Sequence, residues 1–259
     1  MSTTISLPSW LKPIDVEGYV RLGSDHDGGY VLPLRLVRDA DALLSMGVGW
    51  NWRFERDVHA RKPMMIQAYD HTVSERQFRR AWGANLVMCG MGKARWGQVR
   101  RSWARWRDYR AFFGGPATHF RQEVTPSLVS TMFERIGPGK LLVKMDIDGA
   151  EYDVLADVLG YADRILGIVL EVHDLTNREQ RFESLMQTML QRYAVVHVHV
   201  NNFDQPKNGR VDTLELTLMR QDLVPRQAGP LSLPHPLDQP NDPSRPDIRI
   251  QFDAQTVLG

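Results

Sequence analysis

The chain of 259 residues predicts one α/β domain on a mostly parallel, Rossmann-like sheet, with helices on both faces and an antiparallel last strand. Three observations carry that expectation. Short apolar runs alternate with helix-length patterns from about residue 40 onward. The stretch "LLSMGVGWNWRFERDV" sets a Gly-x-Gly turn between a strand and a helix. In "AVVHVHVNNFDQPKNGRVDTLELTLMR" two strand patterns follow each other with no helix between them. Alternation implies βαβ crossovers and parallel pairing, whereas the final hairpin-like pair gives an antiparallel strand.

In chain order, residues 1–39 form an N-terminal extension. Its start, "MSTTISLPSWLKPID", lacks both the basic head and the apolar run of a signal peptide. The core follows over 40–223. Strands are expected at 41–49, 64–70, 141–148, 167–174, 194–200 and 213–219, where apolar and β-branched residues run together or alternate. Helices are expected at 51–61, 74–82, 125–136, 149–159 and 177–192. The tail, 224–259, is rich in proline: Val224 to Pro246 holds seven of the chain's 15 prolines, too dense for helix or central strand. It reads either as a surface tail packed on the domain or partly disordered, or as a loop that walls the active site. No internal repeat is present.

Composition narrows the function classes. With 42% hydrophobic and 24% charged residues and a formal net charge of +1, the molecule as a whole is no polyanion binder. The single cysteine, Cys89, excludes an internal disulfide and fits a reducing compartment. No stretch approaches the roughly 20 apolar residues of a membrane span. A cytoplasmic protein is expected, with peripheral contact at the inner face of the membrane left open.

The glycine turn suggests a nucleoside site. Gly47 and Gly49 close a strand, and Asp70 ends the next one, 23 residues after Gly47. Glycine there lets backbone approach a ligand, and an acid about 20 residues on suits ribose hydroxyls. Trp52 stands where a dinucleotide fingerprint needs its third glycine, which disfavours NAD. S-adenosylmethionine, a nucleoside without a pyrophosphate, fits better. The plainer alternative is a structural turn with a helix-capping aspartate.

"KMDIDGAEYDVL" (144–155) is no EF-hand, because counting from Asp146 position 6 is Glu151 rather than glycine. Asp148 and Glu151 have capping-box spacing, so both could simply start a helix. Asp146 is harder to explain as structure, since a charge in an apolar central strand is costly unless it is paired or faces a cleft. Glu171 with His173 in "GIVLEVHDL", and His197, His199 and Asn201 in "VVHVHVNNF", repeat the pattern at other strand ends, where α/β sheets bind ligands. His197 is read as structural.

"KARWGQVRRSWARWRDYR" (93–110) carries seven Lys/Arg against one Asp, with Trp96, Val99, Trp103 and Trp106 on one helical face. It could be an amphipathic helix packing its tryptophans. It could also dock an anionic or sugar-rich acceptor, with Arg107 as a contact, or a single-stranded RNA, or a membrane surface.

"KMDIDGAEYDVL", together with "RLGSDHDGGYVLP" and the glycine turn, resembles the signature of FkbM-type S-adenosylmethionine-dependent O-methyltransferases over roughly residues 19–220. Asp148 stands where many members carry Glu. The resemblance implies a class I methyltransferase fold with seven strands, the last pair antiparallel. It also implies methyl transfer to a hydroxyl, frequently of a sugar or polyketide. Gly47, Gly49 and Asp70 take the cofactor roles and Asp146 faces the methyl group. The expected reaction is O-methylation of a carbohydrate, such as a nucleotide-sugar or a growing surface polysaccharide. His173 is the candidate base, oriented by Glu171 or Asp146; alternatively Asp146, Glu171 and His173 hold Mg²⁺ or Mn²⁺. His199, Asn201 and Arg107 are candidate substrate contacts. The alternatives are a methyltransferase for a small metabolite or RNA, and a non-catalytic nucleoside- or glycan-binding module.

Overall fold

The computed structural model describes residues 3–206, 209–225 and 233–254. Strand β1 (Thr4–Leu7) is followed by the hairpin β2 (Tyr19–Gly23) and β3 (Gly29–Pro33), then α1 (Leu34–Asp39). The alternating body comprises β4 (Ala42–Met46), α2 (Arg53–Arg61), β5 (Met65–Tyr69), α3 (Glu75–Gly90), α4 (Trp96–Phe113), β6 (Ala117–Phe120) and α5 (Pro126–Arg135). It continues through β7 (Leu141–Met145), α6 (Glu151–Leu159), β8 (Ile165–Val172), α7 (Leu175–Leu190), β9 (Tyr193–Val200) and β10 (Leu214–Arg220). Strand β11 (Arg249–Phe252) closes the described chain.

Seven strands form the central sheet in the order β6-β5-β4-β7-β8-β10-β9. All pair in parallel except β10, which runs antiparallel to both β8 and β9. This is the class I methyltransferase fold expected from the sequence. Residues of β4, β7 and β8 are buried throughout, as a sheet covered on both faces requires. One apolar cluster gathers α5, α6 and α7 on one side of the sheet, and a second gathers α1, α2 and the foot of α3–α4 on the other.

Two features lie outside the alternation. Strand β1 pairs in parallel with β11, joining the extension to the tail. The β2–β3 hairpin rests on the sheet, where Thr217 Oγ1 donates to the Val31 carbonyl at 2.7 Å. The described tail packs on β9 and β10: His197 meets Asp238 at 2.8 Å, and Asn241 Nδ2 donates to Glu215 Oε1 at 2.6 Å. The tail is therefore held on the sheet by Asp238 and Asn241, while Pro234, Pro236, Pro243 and Pro246 face solvent; residues 226–232 and 255–259 lie outside the described part.

Candidate active site

The switch from β5–β4 to β4–β7 places the ends of the three central strands side by side. Gly47 N–H donates to the Tyr69 carbonyl at 2.9 Å, and Asp146 N–H to the Met46 carbonyl at 3.0 Å. Gly47 has φ +78°, and a Cβ there would run into the Asp146 carbonyl oxygen. Only glycine lets β4 and β7 end this close together. Gly49, at φ +55°, differs: a Cβ would meet nothing within 4 Å, so it faces open cavity space.

Asp70 clamps this turn. Its Oδ2 accepts from Val48 N–H at 2.9 Å and Gly49 N–H at 2.7 Å, while its Oδ1 accepts the amide and hydroxyl of Thr72, each at 2.6 Å. Burial pushes this carboxyl up, but those bonds outweigh it and hold it below the ordinary aspartate range. Asp70 lines the cavity, as a ribose ligand should, yet each oxygen already takes two hydrogen bonds. It can receive a ribose hydroxyl only by exchanging a bond, most readily that of the rotatable Thr72 hydroxyl.

Beyond β7 and β8 the chain delivers Asp146 and His173 to the same edge. His173 Nε2 lies 3.5 Å from Glu171 Oε1, 3.9 Å from Asp146 Oδ1 and 4.0 Å from Asp148 Oδ1. Its Nδ1 meets Glu151 Oε1 at 3.0 Å, and that oxygen also accepts from Ile147 N–H at 3.1 Å. The capping-box alternative is therefore not realised. Asp148 makes no cap on α6 and sits at φ +53°, while the buried Glu151 orients the histidine. Lys144, buried beneath, donates to the Gly47 carbonyl and to Asp146 Oδ2. The Tyr30 hydroxyl donates to Asp146 Oδ2 at 2.9 Å and stands 3.1 Å from Glu171 Oε2. Asn201 Nδ2 donates to Glu171 Oε1 at 3.0 Å.

The electrostatics follow from crowding carboxylates around two cationic side chains. Burial raises Asp146, but Lys144 and His173 more than offset it and keep Asp146 ionised. Burial and the Asp146 charge lift Glu171 to about 7. Burial alone would depress His173, yet the bonds and charges of Glu151 and Glu171 hold it at about 11. Without a metal ion these neighbours favour the imidazolium at neutral pH, the form that holds a proton rather than takes one. Glu171 is the group poised near neutrality.

One ligand atom from each of Asp146, Glu171 and His173 lies within 4.8 Å of the others. Ligands around a hard cation at about 2.1 Å sit about 3 Å apart, so small side-chain adjustments would close the set. Two carboxylates and one imidazole suit Mg²⁺ or Mn²⁺, and the local excess of negative charge favours a cation. The group fits.

These residues open on a cavity of about 680 Å³. Among the described residues, eight carboxylates line it against one lysine, Lys144. Asn201 is among the lining residues; His199 and Arg107 are not. His199 is buried between Glu215 (2.9 Å) and Asp247 (3.1 Å), where it ties the tail to the sheet. Because β10 intervenes between β8 and β9, His199 sits two strands away from Glu171. Arg107 lies on α4 over the Trp103 ring at 4.6 Å. Trp52, in the third-glycine position, donates its indole N–H to Asp108 at 2.8 Å and anchors the foot of the α3–α4 hairpin. Tyr30, Glu151 and Lys144 are the site residues that sequence reasoning assigned no part. For Lys144 the signal was its alternation with Asp146; for Tyr30, which arrives from a separate hairpin, there was none.

No protein-family model matches the chain, and no curated protein matches it. Among solved structures, the chain is similar to a fibrillarin/Nop5p complex, with 14% identity over 73% of this chain and 75% of the other, TM-score 0.40. A fibrillarin pre-rRNA processing protein from Methanococcus jannaschii matches with 8% identity over 81% and 87%, TM-score 0.39. The N-terminal domain of EvdMO1 with SAH bound matches with 12% identity over 72% and 77%, TM-score 0.37. Likenesses this loose leave the fold assignment resting on strand order, and the functional reading on the site's own residues.

Proposed function

We propose that the chain is an S-adenosylmethionine-dependent O-methyltransferase acting on a neutral, hydroxyl-rich acceptor such as a sugar. One observation carries the reading: the Gly47–Gly49 turn and the Asp146/Glu171/His173 cluster open into a single cavity at the carboxyl ends of β4, β7 and β8. Gly49 leaves space for a ligand at the turn, and Asp70 stands beside it.

When bound, the cofactor supplies an electrophilic methyl group whose sulfur leaves as a neutral thioether, so the protein has no anionic leaving group to stabilise. What remains for this chain is to align the acceptor hydroxyl and remove its proton. Alignment is worth several kcal/mol of barrier and a base roughly 10²–10⁴-fold. Glu171, near 7, is placed to take the proton, with Asn201 fixing its carboxylate. Asp146, kept ionised by Lys144, accepts hydrogen bonds from sugar hydroxyls. His173, fixed by Glu151, either remains an imidazolium or exchanges its proton for a divalent cation held with Asp146 and Glu171. Such an ion would acidify the hydroxyl it binds.

The acidic lining shapes the acceptor class. With eight carboxylates, the cavity repels phosphates and favours a neutral acceptor over the anionic or nucleic-acid acceptors considered from sequence. The test is mass-spectrometric detection of a 14-dalton gain on sugar acceptors incubated with cofactor and Mg²⁺. Turnover with wild type that fails in Glu171→Gln supports the reading; undiminished turnover in that variant removes Glu171 as the base.

A further inference from the structure

The α3–α4 hairpin is the part of the molecule that methyl transfer leaves unused. Phe78 is the only buried residue of α3, and α4 buries Val99, Tyr109 and Phe112, so the rest of the hairpin stands away from the core. From Glu75 to Phe113 it carries ten Lys/Arg against Glu75 and Asp108, a net charge of +8. The whole chain carries +1, so the remainder is net −7.

At the distal end of this basic hairpin the surface turns apolar. Of ten large hydrophobic side chains exposed among the described residues, five crowd into the tip: Leu86, Val87, Met88, Met91 and Trp96. Leu86, Val87 and Met88 are consecutive, and at 3.6 residues per turn they point in three directions about 100° apart. No single packing face can bury them together. The exposure of Val87 (63%) shows that α4 does not cover it, and Trp96, the first residue of α4, is itself 67% exposed. Lys93, Arg95, Arg100 and Arg101 flank the tip, and all four are exposed.

We propose that this tip docks the protein on an anionic phospholipid surface. Leu86, Val87, Met88 and Met91 enter the headgroup–acyl boundary, Trp96 sits at the interface, and the flanking cations contact lipid phosphates. Charge complementarity selects an acidic partner. Four of the five exposed tip side chains are non-aromatic, and this selects lipid over RNA, because base recognition uses aromatic stacking and gains little from Leu, Val and Met. A second copy presenting the same +8 face would be repelled. This docking is independent of the methyl-transfer reading.

The test is co-sedimentation of the full chain with vesicles of phosphatidylcholine alone, or of equimolar phosphatidylcholine and phosphatidylglycerol, at low and high salt. Binding to the anionic vesicles that weakens with salt is expected. Val87→Asp with Met91→Asp should reduce partitioning at least tenfold. Lys93→Ser with Arg100→Ser should also reduce it at least tenfold, at about fivefold per charge. An unchanged circular-dichroism melt shows that either variant is folded; if the first is not, the second decides. Absence of binding to anionic vesicles, equal binding to both vesicle types, or variants that bind like wild type would overturn the proposal. So would a tip-dependent dimer, or retention on single-stranded RNA without vesicle binding.

Discussion

Replacing Glu151 with glutamine isolates the interaction that sets the state of His173. The native carboxylate is fully buried; Oε1 accepts from Ile147 N–H and His173 Nδ1, and Oε2 has no hydrogen-bond partner among the described residues. Glutamine keeps the shape and an accepting oxygen but removes the charge. A hydrogen bond to a charged group is worth about 1.5–3 kcal/mol and a neutral one about 0.5–1.5, so the variant loses roughly 1–2 kcal/mol. The proton affinity of His173 then falls about tenfold. The sign is fixed by the raised folded value of about 11 against an ordinary 6.5. The stability this histidine contributes is complete below about pH 6.5 and is lost as pH rises through 11. Urea unfolding should therefore show wild type more stable than Glu151→Gln by about 1–2 kcal/mol near neutral pH, with the gap shrinking above about pH 10. A gap that is absent near neutrality, or that widens with alkali, would mean that His173 is neutral in the native protein and would refute this account of the cluster.

Three further outcomes follow from the same geometry. Gly47→Ala should cost about 2–5 kcal/mol, combining left-handed strain with a clash against the Asp146 carbonyl, whereas Gly49→Ala should cost only about 1–2; urea melts distinguish them. His199 is pushed down by burial but held at about 10 by Asp247 and Glu215, so its stabilisation is complete below about pH 6.5 and lost as pH rises through 10. His199→Ala should then cost about 3–5 kcal/mol by calorimetry near pH 6 and less near pH 10. Mn²⁺ titrated into the protein near neutral pH should release about one proton per ion from His173, which gives up Nε2–H to the metal, and about half a proton more from Glu171, which stands near 7; release of half a proton or less would exclude His173 from the ligand set.

The fold was legible where hydrophobic periodicity is local. The expected strand at 141–148 and helix at 149–159 become β7 and α6, with boundaries shifted by a few residues. Strand β6 escaped notice because its four residues follow Gly114, Gly115 and Pro116 and are too few for a period. The β1–β11 pairing escaped because two segments at opposite ends of the chain leave no local signal of each other. The site divides the same way. Asp146, Glu171 and His173 were readable because charges at the ends of apolar strands need a reason, and adjacent parallel strands bring such ends together. His199 followed the same pattern and misled, because alternation gives the side of a strand but not its neighbour, and β10 lies between β9 and β8. Glu151 looked like a helix cap from its spacing. Only the three-dimensional placement of His173 turns it into a positioning residue.

Calorimetric titration with S-adenosylhomocysteine, in wild type and Gly49→Val, with and without Mg²⁺, tests most directly that the turn and the acidic cluster share a cofactor cavity. The account predicts micromolar binding to wild type that disappears in the variant, whose side chain fills the open space beside the turn. Folded wild-type protein that binds no S-adenosylhomocysteine under either condition would contradict it.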